Sequence, residues 1–298
     1  MTINNNGNNN EIAAVYNSIE EKLKKANKTN EDTNKDKNYL IVGFGTVGQN
    51  FSKEIRELNP DIYDKYKLID SKKNIKYYIT FICVDTPLTE NYDLDITEVR
   101  NAINENDSEI YVIKSTCPIG TIDRLTIETG KRIIFSPEYY GQTQHNNNFN
   151  FDYTILGGDK DTCIEVIQAL MHCYDARHEF KITDSKTAEI SKFMINSFLA
   201  TKVSFCNSFY NLSQIYGISY EELREIFILD PRINNSHTFV YKDTPYWDTH
   251  CLNKDVPYIG YFEESEFIKG VCEFNQSQKD KTDKSRTRKK DTNENENE

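Results

Sequence analysis

The chain has 298 residues, a length that suits one large domain or two ordinary ones. It carries 36 Lys and Arg against 47 Asp and Glu, and the net charge of −11 argues against broad binding to nucleic acid or to anionic membranes. Its seven cysteines, an odd number without a C-x-x-C pair, indicate a reducing compartment and argue against a disulfide framework or a zinc site.

Both ends of the chain are strongly polar. Residues 1–37 and 277–298 contain few apolar side chains, so the sequence predicts disorder in both. Within the first of them, four apolar residues from Ile12 to Leu23 lie at helical spacing and fit a short amphipathic helix, either docked or free. No window of about 18 apolar residues and no signal-peptide core occur, so we expect a cytoplasmic protein with no membrane partner.

The first patterned segment is a strand, a glycine-rich turn and a helix. Apolar residues 39–42 are followed by GFGTVG, in which Gly43, Gly45 and Gly48 form a G-x-G-x-x-G motif with Val47 beside them. Such glycines permit a tight turn and close approach to a pyrophosphate, and the helix N-terminus supplies free N–H groups. This context predicts a dinucleotide site, and a βαβ unit without a nucleotide is the alternative.

The segment YKLID reads as the next strand and ends at Asp70. Its distance from Gly48 is close to the spacing of about 20 residues that the dinucleotide fingerprint requires. An acid at this position accepts hydrogen bonds from both ribose hydroxyls and repels a 2′-phosphate. The sequence therefore predicts NAD rather than NADP.

Strand and helix patterns continue to alternate through residue 182, as in IKYYITFICV, DITEVRNAI, EIYVIK, RIIF, YTILGG and DTCIEVIQALMHC. Alternation of this kind predicts an α/β domain over residues 38–182 with a Rossmann-like, mostly parallel sheet. Ligands of such sheets bind at the carboxyl ends of the strands. Thr86, Thr116 and Glu138 each follow one of these strands, so we expect them to line one crevice, although a single polar residue there is ordinary turn chemistry.

The pattern changes at Thr183, and the sequence predicts an all-α domain over residues 183–276. Its first element reads as one long helix that begins at Thr183 or Asp184 and ends at Gly217. Lys192 and Asn196 lie on one face of this helix because they are four residues apart. A solvated polar face is the alternative interpretation of that pair.

The segment YWDTHCLNKDV contains a lone cysteine, Cys251, among a histidine, a lysine and two aspartates. Free cysteines are among the most buried residues and are usually inert, so a small buried side chain is the simplest interpretation. A nearby cation would instead favour a reactive thiolate. Local sequence alone leaves both interpretations open.

The order of these motifs resembles the nucleotide-sugar dehydrogenases, which oxidise UDP-glucose, GDP-mannose or related sugars at C6. The matching segments run collinearly from about residue 38 to residue 276: IVGFGTVG, VDTP, IKSTCPIGT, FSPEYY, AEISKFMINSFLATKVSFCN, DPRI and CLNKD. The long-helix motif together with Cys-x-x-Lys-Asp is far more specific than the glycine turn. The resemblance implies an NAD-dependent oxidoreductase that supplies uronates for polysaccharide biosynthesis.

The chemistry that the resemblance implies is an oxidation in two steps with two NAD⁺. The first hydride transfer converts the C6 alcohol to an aldehyde, a cysteine thiolate attacks it, and the second leaves a thioester that water hydrolyses. Cys251 matches the nucleophile, and Lys192 matches the lysine that polarises the sugar oxygen. Asn196 matches the partner of that lysine, and Asp255 matches the acid that acts with the lysine and water in proton transfer.

The resemblance also assigns residues around the water and the cofactor. Thr116 resembles the threonine that orders the water, and Glu138 the acid implicated in thioester hydrolysis. Thr86 and Lys254 lie on the cofactor side with the glycine turn. Gln142 stands where the family often has a glutamate, so one contact near the cofactor is altered.

Partners follow from the resemblance as well. The substrate is a UDP- or GDP-linked sugar, and Arg232 in DPRI resembles an arginine that reaches the sugar site of a neighbouring subunit, which implies a homodimer. The family continues into a second Rossmann-like domain that holds the nucleotide diphosphate, whereas this sequence continues into a polar tail. A partner chain could supply that domain.

Three departures from the family pattern bear on activity. Only a short segment separates Asp70 from the ICV strand, where the family has a loop, a helix and a strand, so the sheet is expected to lose an element. The family has glycines before the nucleophile where this chain has residues 246–249, YWDT, and bulk is expected in the sugar loop. Asn253 replaces the usual proline.

Three functions fit this sequence: a nucleotide-sugar dehydrogenase, a degenerate member that binds without turnover, and an NAD-dependent dehydrogenase of a smaller substrate. The shortened sheet favours the second. Retention of the cysteine, both lysines and the acids favours preserved chemistry, because neither Cys251 nor Lys192 is needed for packing.

Overall fold

The computed structural model describes residues 37–140 and 151–295, with side chains through residue 286. The amphipathic segment from Ile12 to Leu23 and the predicted cofactor contact Gln142 lie outside these residues.

A single sheet organises the first half of the chain. Its strands are β1 (Tyr39–Val42), β2 (Asp61–Asp64), β3 (Ile69–Asp70), β4 (Tyr77–Ile82), β5 (Ser108–Ile113), β6 (Arg132–Phe135), β7 (Tyr153–Gly157) and β8 (Glu179–Thr183). They lie in the order β3-β2-β1-β4-β5-β6-β7-β8, with antiparallel pairing only at β2–β3 and β6–β7. The predicted Rossmann-like, mostly parallel sheet is confirmed, and the apolar β1, β4 and β5 are buried on both faces.

Helices cover both faces of the sheet and form the second half of the described chain. They are α1 (Thr46–Glu54), α2 (Thr97–Glu105), α3 (Thr121–Thr129), α4 (Lys160–Leu170), α5 (Ser185–Tyr216), α6 (Tyr220–Phe227), α7 (Leu252–Pro257) and α8 (Glu266–Asn295). α1 and α4 pack into one core and α2 and α3 into the other, which leaves the carboxyl ends of the strands free to form a crevice.

The long helix α5 begins and ends as its sequence predicts. The Asp184 carboxylate accepts the backbone N–H of Thr187, and Gly217 ends the helix with a φ of 65°. Near its start, the buried Glu189 accepts the N–H groups of Gly120 at 2.6 Å and Ile122 at 3.0 Å. That carboxylate binds the N-terminus of α3, so it anchors α5 against the sheet domain.

The second strand differs from its prediction. The parallel strand β2 ends at Asp64, whereas Asp70 lies in the two-residue β3 and pairs antiparallel with Tyr63. The prediction that Asp70 ends the next parallel strand is therefore wrong. The short β2 contains few apolar residues, so the sequence does not mark it as a strand. The apolar pattern that suggested a strand belongs to β3, which follows β2 and pairs with it in an antiparallel hairpin.

The C-terminal tail also differs from its prediction. Residues 277–295, predicted to be disordered, continue helix α8. The segment contains neither glycine nor proline, and its first turns are held by tertiary contacts: Gln278 is buried and its Oε1 accepts from Asn211 at 2.9 Å, while Arg286 donates to the Asp243 carbonyl at 2.6 Å. Composition alone did not reveal these contacts.

The turn between β1 and α1 allows a test of how tightly its glycines are constrained. A Cβ atom on Gly48 would lie 2.1 Å from the Gly43 carbonyl oxygen, whereas a Cβ on Gly45 would meet no atom within 4 Å. We expect Gly48→Ala to lower the free energy of unfolding by about 1–3 kcal/mol, because the backbone must move apart. Gly45→Ala is the control, and chemical denaturation measures the free energy of unfolding of each variant. Equal decreases in both variants would contradict the constraint on Gly48.

Candidate functional site

Two strand ends and helix α7 meet at the crevice. The buried Thr86, which follows β4, donates its hydroxyl to the carbonyl oxygen of Thr116 at 2.6 Å, and Thr116 follows β5. Lys254 of α7 donates from Nζ to Thr86 Oγ1 at 2.9 Å. The hydrogen bonds therefore connect three of the predicted residues across the sheet domain and the helical domain.

A buried carboxylate connects α5 to α7. Asp255 is fully buried, and its Oδ2 accepts the Asn196 side-chain amide at 2.6 Å. Its Oδ1 lies 3.2 Å from the Lys254 ammonium but has no aligned hydrogen-bond donor among the described residues. A buried charge requires compensation of this kind, and the under-used oxygen leaves a site for a proton or a donor.

Lys192 projects from α5 into the same region. Its buried ammonium donates to the backbone carbonyl of Glu138 and lies 4.9 Å from the centre of the Tyr139 ring. Burial lowers its pKa, while the nearby Asp255 and Cys251 act in the opposite direction. The lysine therefore has the setting of an electrophilic or proton-transferring group rather than of a solvated helix face.

Cys251 immediately precedes α7, and its carbonyl accepts the backbone N–H of Asp255 at 2.9 Å. This helical turn places the cysteine and the acid on one side of α7, near Lys192. The Cys251 thiol is half-buried, whereas the thiols of Cys83, Cys117 and most others are buried. The structure thus favours an accessible thiol over an inert core residue.

Glu138 follows β6 and forms an ion pair that sequence reasoning missed. Its side chain is 15% exposed, and one carboxylate oxygen contacts the ammonium of Lys114, which follows β5 and is 2% exposed. Burial raises the pKa of Glu138, and Lys114 opposes that shift. A lysine at the end of the apolar segment EIYVIK was the signal available in the sequence, because a charge there requires a partner.

The glycine turn fits a dinucleotide. Gly43 has a φ of 89°, and a Cβ atom there would lie 2.6 Å from the Cys83 carbonyl oxygen. No side chain of the described residues caps the N-terminus of α1, so its first N–H groups are available to a phosphate. Val47 packs against the core beneath this turn.

Asp64, not Asp70, holds the position beside the glycine turn. Its Oδ2 accepts the N–H of Phe44 at 2.7 Å, and its Oδ1 accepts those of Tyr66 and Lys67 at 2.9 Å. Partial burial would raise the Asp64 pKa, but these donors outweigh it and hold the pKa below its ordinary value. The carboxylate is therefore ionised next to the turn, and it has a further lone pair for a ribose hydroxyl.

Two further predicted features lie outside the crevice, and only the second of them, Trp247, was expected to lie in it. Arg232 is on the surface with 85% of its side chain exposed, and it pairs with Asp230. Trp247, expected to fill the sugar loop, packs instead among α5, α7 and α8, where its indole N–H donates to Ser204 at 3.1 Å. From the same loop, His250 lies 3.1 Å from Asp85 and bridges to the end of β4.

Comparison with known proteins settles the family. Residues 65–175 match the profile described as the UDP-glucose/GDP-mannose dehydrogenase family, NAD binding domain, and residues 186–277 match its central domain. The chain belongs to the UDP-glucose/GDP-mannose dehydrogenase family. Its sheet domain is accordingly of the NAD-binding type, as the sequence predicted, although the matched range begins after the glycine turn.

Individual relatives show how much of the family's length is represented. The chain is 30% identical over 196 residues to the UDP-glucose 6-dehydrogenase of Pseudomonas aeruginosa, which covers 60% of this chain and 43% of that protein. It is 26% identical over 204 residues to the GDP-mannose 6-dehydrogenase of the same organism, covering 61% and 46%. The match therefore spans less than half the length of these curated relatives.

A solved structure supports the fold. The UDP-glucose dehydrogenase of Pyrobaculum islandicum superposes with a TM-score of 0.69 at 20% identity and covers 83% of this chain and 69% of that one. Among the residues described here, no helix is long and apolar enough to cross a membrane. The same residues contain no group of three His, Cys, Asp or Glu side chains arranged to hold a metal ion.

The proximity of Lys192 to Cys251 can be tested without a substrate. We expect Lys192→Met to slow iodoacetamide alkylation of Cys251 by about three- to tenfold, because a neighbouring cation favours the reactive thiolate. Peptide mass spectrometry measures the rate. Cys173, the other half-buried thiol, is an internal control and should react at an unchanged rate; equal slowing at both thiols would indicate a general change in folding.

Proposed function

We propose that the protein oxidises the C6 alcohol of a nucleotide sugar to the uronate, with NAD as cofactor and Cys251 as covalent nucleophile. The observation that carries this proposal is the meeting of Cys251, Lys192, Asn196 and Asp255 at a buried junction beside Glu138. With Lys254, two lysines and the Asp255 carboxylate are buried at this junction, which is unusual for an inert helical packing site. The names of the curated relatives support the substrate class.

The cofactor would lie along the glycine turn and the strand ends. Gly43, Gly45 and Gly48 would hold the pyrophosphate, Asp64 the ribose, and Thr86 and Lys254 the side toward the reacting carbon. When bound, NAD⁺ accepts a hydride from that carbon in each of the two oxidations. The hydrogen bond between Lys254 and Thr86 fixes that side of the crevice.

Residues of α5 and α7 would carry the proton transfers. Lys192 would polarise the sugar oxygen, since burial lowers its pKa and makes its ammonium a better proton donor. The Asn196 amide orients Asp255, whose Oδ1 accepts no hydrogen bond among the described residues and would take up the proton through water. Thr116, buried at the end of β5, would order that water.

The cysteine would make the second oxidation possible. Its thiolate adds to the aldehyde carbon to form a thiohemiacetal, and loss of hydride from that carbon gives the thioester. Water then attacks the thioester, Glu138 accepts the water proton, the carbon–sulfur bond breaks and the thiolate is restored. Lys192 and Asn196 would stabilise the oxyanion that forms in the addition steps.

Substrate affinity depends on contacts with the nucleotide part of the substrate, away from the reacting carbon. Remote contacts with the nucleotide supply binding energy that positions the reacting carbon, and the match spans less than half of the curated relatives. We propose that residues outside the described domains, on this polypeptide or on a partner, hold the nucleotide diphosphate. All seven cysteines are free thiols, as expected in a reducing compartment. We therefore propose that the reaction takes place in the cytoplasm.

Activity should be measured as NADH formation with a panel of UDP- and GDP-linked sugars and small alcohols. We expect about two NADH per sugar for one substrate, and thermal stabilisation by NAD⁺ alone because binding favours the folded state. Cys251→Ser should abolish the second oxidation, with aldehyde as the only product, because the thioester cannot form.

Cys173→Ser is the matched control for that variant, since it removes the other half-buried thiol, which packs against the core of the sheet domain. NAD⁺ stabilisation without any NADH would instead identify a binding protein that has lost turnover. Complete oxidation by the Cys251→Ser variant would show that another group is the nucleophile.

We also propose that the protein is a homodimer formed through one face of α5. The spacing of three, four or seven residues between its apolar side chains places them on one face of the helix, which is normally buried. Seven large apolar residues of this face are nevertheless exposed: Ile190, Met194, Phe198, Phe205, Phe209, Leu212 and Ile215. An apolar face of this length in a protein of net charge −11 requires a cover, and a second copy presents the same surface. The outward Arg232 would then be available to the partner's crevice.

Phe198→Asp should convert the dimer to a monomer, because 62% of this side chain is exposed and a charge in the interface would be buried without a partner. Analytical ultracentrifugation measures the mass. Ile127→Asp on α3, where 83% of the side chain is exposed, is the matched control and should leave the mass unchanged. A monomeric wild type would overturn the dimer.

A further inference from the structure

Lys114 is a deeply buried lysine that the proposed chemistry leaves without a role. It follows β5, its side chain is 2% exposed, and its ammonium contacts a carboxylate oxygen of Glu138. Its other contacts are the Ser136 hydroxyl at 3.3 Å and the face of the Phe51 ring, with Nζ 4.0 Å from the centroid. Only Glu138 compensates this buried charge among these contacts.

Glu138 is held through both its side-chain carboxylate and its backbone carbonyl. The carboxylate contacts Lys114, and the backbone carbonyl accepts a hydrogen bond from Lys192. Two lysines, one after β5 and one on α5, therefore hold a single residue just after the carboxyl end of β6. The second of them is the proposed proton-transfer lysine, so the position of Glu138 is tied to the reacting centre.

The groups around Glu138 shift its pKa in opposite directions. Burial and the Glu54 carboxylate raise its pKa, whereas Lys114 and, more weakly, Lys192 lower it. Glu54 lies on α1 and itself accepts hydrogen bonds from Tyr140 and Tyr174. The titratable and charged groups that face Glu138 are therefore Lys114, Lys192, Glu54, Cys83, Tyr139, Tyr140 and Tyr174.

We propose that Lys114 is a positioning residue, whose buried ammonium keeps the Glu138 carboxylate ionised and directed into the crevice beside Lys192. This proposal rests on the proposed function for its consequence in catalysis, which is thioester hydrolysis. In that step the ionised Glu138 takes a proton from water, the water oxygen bonds to the thioester carbon, and Cys251 leaves as thiolate. A protonated Glu138 could not accept the proton.

The ionisation of Glu138 can be measured directly by infrared difference spectroscopy, which separates protonated carboxyl groups from carboxylates. We expect Lys114→Met to show a new protonated-carboxyl band at neutral pH, because removal of the cation raises the pKa of a buried acid. The double variant Lys114→Met/Glu138→Gln assigns the band by its disappearance. That variant also removes both charges, so it should fold even if Lys114→Met does not.

Lys131→Met is the matched control. Lys131 is a half-buried lysine at the amino end of β6, on the opposite edge of the sheet, and it donates to the Ile103 carbonyl rather than to a carboxylate. Its removal changes the net charge equally and should give no new band. The same band in Lys131→Met, or no band in Lys114→Met, would overturn the proposal.

Catalysis supplies the second readout. In Lys114→Met we expect the thioester on Cys251 to accumulate, visible by mass spectrometry, and its hydrolysis to slow by about 10- to 100-fold at neutral pH. The rate should recover as the pH rises through the raised Glu138 pKa, and Lys114→Arg should retain part of it. Normal hydrolysis despite the new band would overturn the catalytic consequence.

Different experiments contradict the two proposals. If the wild type forms no NADH with any sugar tested, the nucleotide-sugar function is wrong. If the infrared spectrum of Lys114→Met shows no new carboxyl band, the Lys114 proposal is wrong, and that measurement requires no substrate.

Discussion

Compensation of buried charge at the junction between the sheet and the helices constrains this structure more than any other interaction. Asp255 is fully buried, and the Asn196 amide and the Lys254 ammonium are what make its burial tolerable. Those partners belong to α5 and α7, so the carboxylate fixes how the two helices pack. Lys254 also bonds to Thr86 at the end of β4, which extends the same constraint to the sheet.

The same burial prepares the groups for chemistry. Removal of water lowers the pKa of the Lys192 ammonium and raises that of the Glu138 carboxyl, so both move toward the neutral range from opposite sides. Lys114 limits the second shift, because its charge lies against the carboxylate. The proposed acid and base roles thus depend on the placement of lysines relative to carboxylates, rather than on unusual residue types.

Much of the candidate site could be predicted because its motifs are local. Cys251, Lys254 and Asp255 lie within five residues, so a single helical turn places them together whatever the rest of the chain does. Asp184 and Gly217 delimit α5 through capping interactions that depend only on nearby residues. Asp70 was misplaced because β2 is short and only weakly apolar, so pairing with β1, not its own periodicity, defines it.

The sequence by itself determined most of the strands and helices of residues 38–276, the glycine turn and the Cys-x-x-Lys-Asp motif, because each depends on local periodicity, capping or motif spacing. Tertiary structure alone decided that Asp64 rather than Asp70 lies beside the turn, that Trp247 packs between helices, and that residues 277–295 form helix. It also decided the pairing of Lys114 with Glu138. These outcomes depend on contacts between residues far apart in the chain, and on the cost of burying a charge or ring without a partner, which no local pattern records.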